Sequence, residues 1–244
     1  MKWGLTLGIG LLALAGTAVT ANAADIPARP VYKAVPMPEA VYNWTGIYVG
    51  VNGGYAQGKL NWVYVAGGIA HHTTKGGLFG GTLGAQIQSG QWVFGAEGDF
   101  DWARIRGSTF CPNPAFTCDS DLRTFGTARV RLGFSPSAAP NWLFYATGGA
   151  AFGDQRIQTV FLPGTPIPTS GTPINGSNTS TLGWTVGAGV EWAPFPTMPR
   201  WTTKFEYLYY DLGTHGYVVD NLLAVNAHHT GNIIRAGINF RLWP

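Results

Sequence analysis

The stretch VFGAEGDFDW, residues 93–102, places Glu97, Asp99 and Asp101 at spacing two in a 244-residue chain of which only 11% is charged. Neighbouring carboxylates among aromatics are raw material for acid/base catalysis, in which one acid is held protonated and another ionised. Five histidines offer a second chemistry. His71 and His72 stand in one segment and His215, His228 and His229 in another, and imidazoles gathered from two loops can hold haem or a divalent metal. Cys111 and Cys118, in CPNPAFTC, offer a third, a local disulfide, since no neighbouring His or Cys completes a metal set. No nucleophile elbow, Walker loop, HExxH or CxxC pair is present. What each group can do depends on the element that carries it.

The composition narrows those elements. Glycine supplies 35 residues and aromatics 14%, while mean hydropathy is only +0.06. Soluble domains average about 25% charge and about 7% glycine. Low charge, much glycine and many aromatics, without a long apolar run, leave a β-sandwich, a soluble barrel or a membrane barrel. A net charge of +3 with no Lys/Arg run excludes tracking along a nucleic acid. Lys2, the apolar run Leu5 to Leu14 and the small-x-small sequence Ala21-Asn22-Ala23 form a secretory signal peptide over residues 1–23, so the chain is exported. Residues 24–43 hold four prolines and no periodicity, as expected of an extended periplasmic linker ahead of a barrel over 44–244.

From Thr45 onward the dominant period is two, which predicts strands over 45–55, 79–88, 91–102, 122–134, 141–153, 182–192, 201–210 and 232–242. The connections alternate: 89–90, 135–140 and 193–200 are short, whereas 56–75, 103–121, 154–181 and 211–231 are long, polar and rich in glycine. An even number of strands of about ten residues, with short turns on one side and long loops on the other, predicts an all-β, eight-stranded antiparallel up-and-down transmembrane barrel. Trp92 and Trp102 share one face ten residues apart, a separation of about 25 Å on a tilted strand, the height of the apolar band between aromatic girdles. Trp184, Trp192, Trp201 and Tyr209 repeat that span on two further strands. A soluble barrel would carry polar residues on this face.

If the tryptophans face lipid, Glu97, Asp99 and Asp101 face the lumen. The following antiparallel strand then brings Arg123, Arg129 and Arg131 against them, with Asp101 near Arg123 and Glu97 near Arg129. Glu191, Lys204, Glu206, Arg235 and Arg241 point inward by the same rule, giving five acids against six bases. An eight-stranded interior is just wide enough for side chains to fill, and charges there must be paired. The acids thus form half of an internal salt-bridge network, with a polar path for small solutes as the alternative. A lipid-modifying barrel would need an outward Ser or His beside a carboxylate, and with every histidine placed in a loop the strands offer none. His71, His72, His228 and His229 keep two readings, solvated loop residues or a haem or metal site where the first and fourth loops adjoin.

The fragments NWTGIYVGVNGGY, VFGAEGDFDW, RTFGTARVRLGF, LFYATGGAAFG, GWTVGAGVEW and KFEYLYYDLG, in this order from about Asn43 to Phe240, together resemble the small alphaproteobacterial outer-membrane proteins with an OmpA-type barrel, described as outer-membrane immunogenic, porin-family or haemin-binding proteins. The resemblance implies an integral outer-membrane protein without enzymatic activity that contributes to envelope integrity and surface interactions. Its expected partners are outer-membrane lipid and lipopolysaccharide, the barrel-assembly machinery and host or surface ligands. It carries over no haem motif and implies no cofactor. Family members end on an aromatic residue that serves as the assembly signal, whereas this chain ends FRLWP, with Phe240 and Trp243 as the nearest aromatics and a terminal proline that cannot donate to a ladder.

Overall fold

The computed structural model describes residues 42–65, 67–113, 115–161, 173–194, 198–219 and 223–243. The segment expected to be the signal peptide, and all but the last two residues of the expected linker, lie outside them. The described residues form eight antiparallel strands closed in sequence order: β1 (Gly46–Tyr64), β2 (Ile69–Ser89), β3 (Trp92–Phe110), β4 (Phe116–Phe134), β5 (Trp142–Phe161), β6 (Pro173–Trp192), β7 (Trp201–Val219) and β8 (Leu223–Trp243). β8 returns to pair with β1, so no strand edge is left open.

The strands are about twice the expected length. At 19–21 residues and a tilt near 40°, each rises about 50 Å, of which an apolar band needs about 25 Å. Segments 56–64, 69–75, 103–110, 116–121 and 211–219, expected as parts of long loops, are strand, and β1 passes to β2 through residues 65–68. The facing rule explains why the pattern hid them. Below the upper girdle, apolar residues such as Val49, Val51, Leu83 and Phe94 face outward and are exposed. Above it the exterior becomes more polar, with Lys59, Asn61, Thr73 and Lys75 outside and Val63 and Ile69 the apolar exceptions near the tip, while Leu60, Trp62, Tyr64 and Ala70 are buried within. The chain keeps its period of two but exchanges which phase is apolar, because water replaces lipid outside.

Two irregularities shift that phase. In β4 the register slips between Leu122 and Thr124, leaving Arg123 without a partner on β5 and turning it and Thr124 to the outside. In β7 the register slips between Asp211 and Thr214 around Gly213, whose φ of +72° is cheap only for glycine. At the lower end Gly90, φ +62°, closes the tight turn from β2 to β3.

Candidate functional site

The lumen is built in layers. At the lower mouth Trp44 is fully buried against Val93, Leu143 and Tyr145. Its indole N–H donates to the carbonyl of Pro140 at 3.0 Å and its backbone N–H to Gln88 Oε1 at 2.7 Å. Tyr42 packs edge-on against it and donates to the carbonyl of Pro199. Arg241 lies over the Tyr42 ring, 5.1 Å from its centre, and donates to the carbonyl of Thr45. It stands below the main charge network and joins none of its ion pairs among the described residues.

Above this cap lies the charge layer. Glu97 faces Arg129 directly across β3 and β4. The Arg129 guanidinium donates to Glu97 at 2.6 Å, Asp99 at 2.9 Å and Glu206 at 2.9 Å. Arg235 answers from β8, donating to Glu206 at 2.6 Å, Asp99 at 2.9 Å and Asp101 at 3.2 Å. Lys204 reaches Glu97 at 3.0 Å, and Arg131 bridges Glu97 at 3.2 Å and Glu191 at 2.7 Å. Three groups not singled out in the sequence complete the layer. Tyr48 donates to Glu97, Arg131 lies 3.9 Å from the centre of the Tyr145 ring, and Asn239 donates to Glu191. All three lie on the phase that period two turns inward, but as uncharged residues they carried no signal of a charge network. Gly84 makes room for Tyr48, since a Cβ there would come within 2.2 Å of the phenol ring.

Arg123 is not in this layer. The β4 bulge carries it outside, where its side chain is 43% exposed and its nearest carboxylate, at 3.8 Å, is Asp121. Asp101 therefore meets Arg235 across the lumen instead. With Arg123 removed, the inward set becomes five acids against five bases. Glu97 is shared by four cations, Asp99 by two and Asp101 by Arg235 alone, and all three are buried, which denies them the access to substrate that acid/base catalysis requires.

The next layer is apolar, with Ile105, Leu122, Phe125, Leu208, Tyr210 and Ile233 all buried. A thin polar layer follows. His229 Nε2 lies 3.1 Å from Thr74 Oγ1 and 3.2 Å from the Tyr210 hydroxyl, with Nδ1 3.3 Å from Gln155 Oε1. His72 Nε2 lies 2.7 Å from Ser120 Oγ. A second apolar cluster, including Leu60, Trp62, Ile157, Tyr217 and Val225, fills the top beside the disulfide joining Cys111 to Cys118.

The histidines therefore do not converge. All five stand on strands rather than in loops, and successive residues of a strand face opposite sides. His72 and His229 flank Leu60 inside the barrel, whereas His71 and His228 flank Asn61 outside it. Of the two readings, solvated loop residues or a haem or metal site where loops adjoin, the placement of these four on strands matches neither as stated. No three His, Cys, Asp or Glu side chains among the described residues are placed to hold a metal ion. His228 does stand outward beside a carboxylate, Asp211 Oδ1 at 2.8 Å, so the premise that no strand offers such a pair fails. No serine or threonine hydroxyl is bonded to that imidazole among the described residues.

On the outer wall Trp92, Trp102, Trp184, Trp192 and Trp201 are all exposed, with Tyr209 half-buried beside Trp184. The lower ring continues through Phe134 on Trp92, Trp142 on Trp192 and Phe240 on Trp201. Two aromatic rings bounding an apolar wall on a closed barrel are the exterior of a membrane protein. A family model described as "Outer membrane protein beta-barrel domain" matches residues 9–239. The chain belongs to this family of outer-membrane β-barrels. It is similar to the 31 kDa outer-membrane immunogenic protein of Brucella melitensis and of Brucella suis, 33% identical in each case over 92% of this chain and 94% of the relative. The 25 kDa outer-membrane immunogenic protein of Brucella canis is 28% identical over 95% of this chain and 93% of the relative.

As an integral outer-membrane barrel, the chain turns its short connections to the periplasm and its long strand extensions to the cell exterior. His72 and His229 belong to that extracellular half: Tyr209 of the upper girdle pairs with Asn232, and His229 lies three residues beyond. Burial pushes the His229 imidazole down to about 3, with lesser contributions from His72 and His228. Burial also lowers His72, partly opposed by Asp119.

Proposed function

We propose that the chain is a non-conducting, non-enzymatic outer-membrane barrel that contributes to envelope integrity and presents its extracellular half for surface interactions. The supporting observation is the stacking of the lumen, in which a charge layer lies between the Trp44 cap and two apolar clusters. A permeating ion would have to break pairs held at 2.6–3.2 Å and then cross two buried, mostly apolar layers. Its partners on this reading are outer-leaflet glycolipid, surface ligands at the rim and the barrel-assembly machinery. On β8, Phe240 is seated on Trp201 of β7.

Single-channel recording of the refolded chain in a planar bilayer tests the closed lumen. With insertion shown independently, the wild type gives no current steps. Steady openings in the wild type that change with Arg129→Ala or Glu97→Ala would instead make it a narrow porin.

A further inference from the structure

Above the upper girdle the described outward lysines and arginines all stand on β1 to β5, Lys59 alone on β1 and the rest on β2 to β5, while β7 and β8 carry the Asp211–His228 pair. On β3, Arg104 and Arg106 stand two and four residues beyond Trp102, and on β2 Lys75 stands four residues beyond Phe79, whose ring contacts Trp102. On β5, Arg156 stands four residues beyond the outward Phe152, and the β4 bulge adds Arg123. Register aligns three of these in one row across four strands: Lys75 pairs with Arg106, Arg106 with Asp121, and Asp121 with Arg156. The described extensions of β6, β7 and β8 beyond the girdle carry no lysine or arginine. Asp119, Asp121 and Asp154 share the basic wall, so five bases face three acids. Asp121 engages Arg106 at 3.4 Å and Arg123 at 3.8 Å, whereas Lys75, Arg104 and Arg156 make no ion pair among the described residues. A shallow groove of about 500 Å³ runs between Arg106, Ser108, Asp119, Asp121, Arg123 and Arg156.

Height decides the occupant. Two and four residues along a tilted strand place these cations about 5 and 10 Å above the girdle. The polar layer on each side of a bilayer core is about 5–8 Å thick, so the cations stand in and just above the lipid headgroups, while the strands continue past them toward the rim. A soluble polyanion would meet the rim first. The row spans three strand spacings, about 15 Å, the scale of a disaccharide with a phosphate at each end.

We propose that the β2–β5 wall is a docking surface for the phosphorylated glycolipid of the outer leaflet, with Lys75, Arg104 and Arg156 supplying the free cations and Arg106 and Arg123 the partly compensated ones. A basic residue at an anionic membrane surface contributes about fivefold in affinity, so removing three costs about 100-fold. The full chain, refolded in zwitterionic detergent, is titrated with bis-phosphorylated lipid A and with its dephosphorylated form, and bound lipid is counted by native mass spectrometry. The wild type should retain the phosphorylated form and release the other, and the triple variant Lys75→Gln, Arg104→Gln, Arg156→Gln should lose that preference by about 100-fold. Arg104→Lys with Arg156→Lys should keep most of it. Equal retention of both lipids by the wild type, an unchanged preference in the triple variant, or binding of heparin with no binding of lipid A would overturn the proposal. Folding into neutral phosphatidylcholine vesicles, which needs no phosphate, tests the membrane barrel separately.

Discussion

Arg235→Met is expected to lower the stability of the membrane-inserted barrel by about 3–5 kcal/mol, read as a fall in the urea midpoint of the full chain in phosphatidylcholine vesicles. Arg235 is fully buried and donates to Asp99, Asp101 and Glu206, which no solvent reaches. Asp101 has no other cation within 4 Å among the described residues, and its Oδ1 has no hydrogen-bond partner there. Methionine fills much of the volume but leaves the acids in excess of their bases, and unpaired charge, more than the cavity, sets the cost. Arg123→Met is the matched control. Its side chain is half exposed on the outer wall near Asp121, where an ion pair contributes about 0–1 kcal/mol.

A double variant separates charge from packing. Asp101→Asn added to Arg235→Met removes one of the stranded charges, and part of the lost stability should return. If the two methionine variants fall equally, the lumen does not depend on this network. If the double variant is no better than the single, the loss comes from packing and not from charge.

Which parts of this arrangement the sequence discloses follows from what surrounds each residue. Between the girdles, lipid outside demands apolar residues on one phase, so Trp92, Phe94, Phe100 and Trp102 alternate visibly with Glu97, Asp99 and Asp101. The eight strands, their antiparallel closure and the membrane follow from that contrast. Above the girdle the contrast inverts: in GKLNWVY, Leu60, Trp62 and Tyr64 occupy the phase that Tyr48 and Asn52 hold lower down, and an inverted phase looks like a broken one. The misplaced loop histidines have the same origin, since extending β1, β2 and β8 by one more turn of the same pattern puts His72 and His229 inside and His71 and His228 outside. Arg123 fails for a different reason. A one-residue bulge has no signature in RTFGTARVRLGF, and shifting phase by one residue carries a charge from lumen to exterior. Trp44 was hidden as well, because the residue that caps the lower mouth precedes the first strand and has no periodicity to place it.

Acidification from pH 7.5 to pH 5 is expected to lower the stability of the barrel by about 2 kcal/mol through His229 alone. The imidazole is held neutral by uncharged partners from three strands, Thr74 on β2, Tyr210 on β7 and Gln155 on β5, and its folded value lies near 3. In the unfolded chain a histidine takes up a proton near 6.5. Between those two values the unfolded state binds more protons, so stability is complete above about 6.5 and declines as the pH falls through that value toward 3. His72, lowered in the same direction, adds to the decline. Carboxylates common to wild type and variant cancel when the two are compared over the same pH interval, so the difference reads the imidazole alone. The acid-side change in urea midpoint in vesicles should differ between wild type and His229→Gln by the equivalent of about 2 kcal/mol, the wild type losing more. The glutamine amide can keep one of the bonds without titrating, and the difference should grow when His72→Gln is added. A pH slope in His229→Gln equal to that of the wild type would sink the assignment, because the buried imidazole would then not be the group taking up the proton on unfolding.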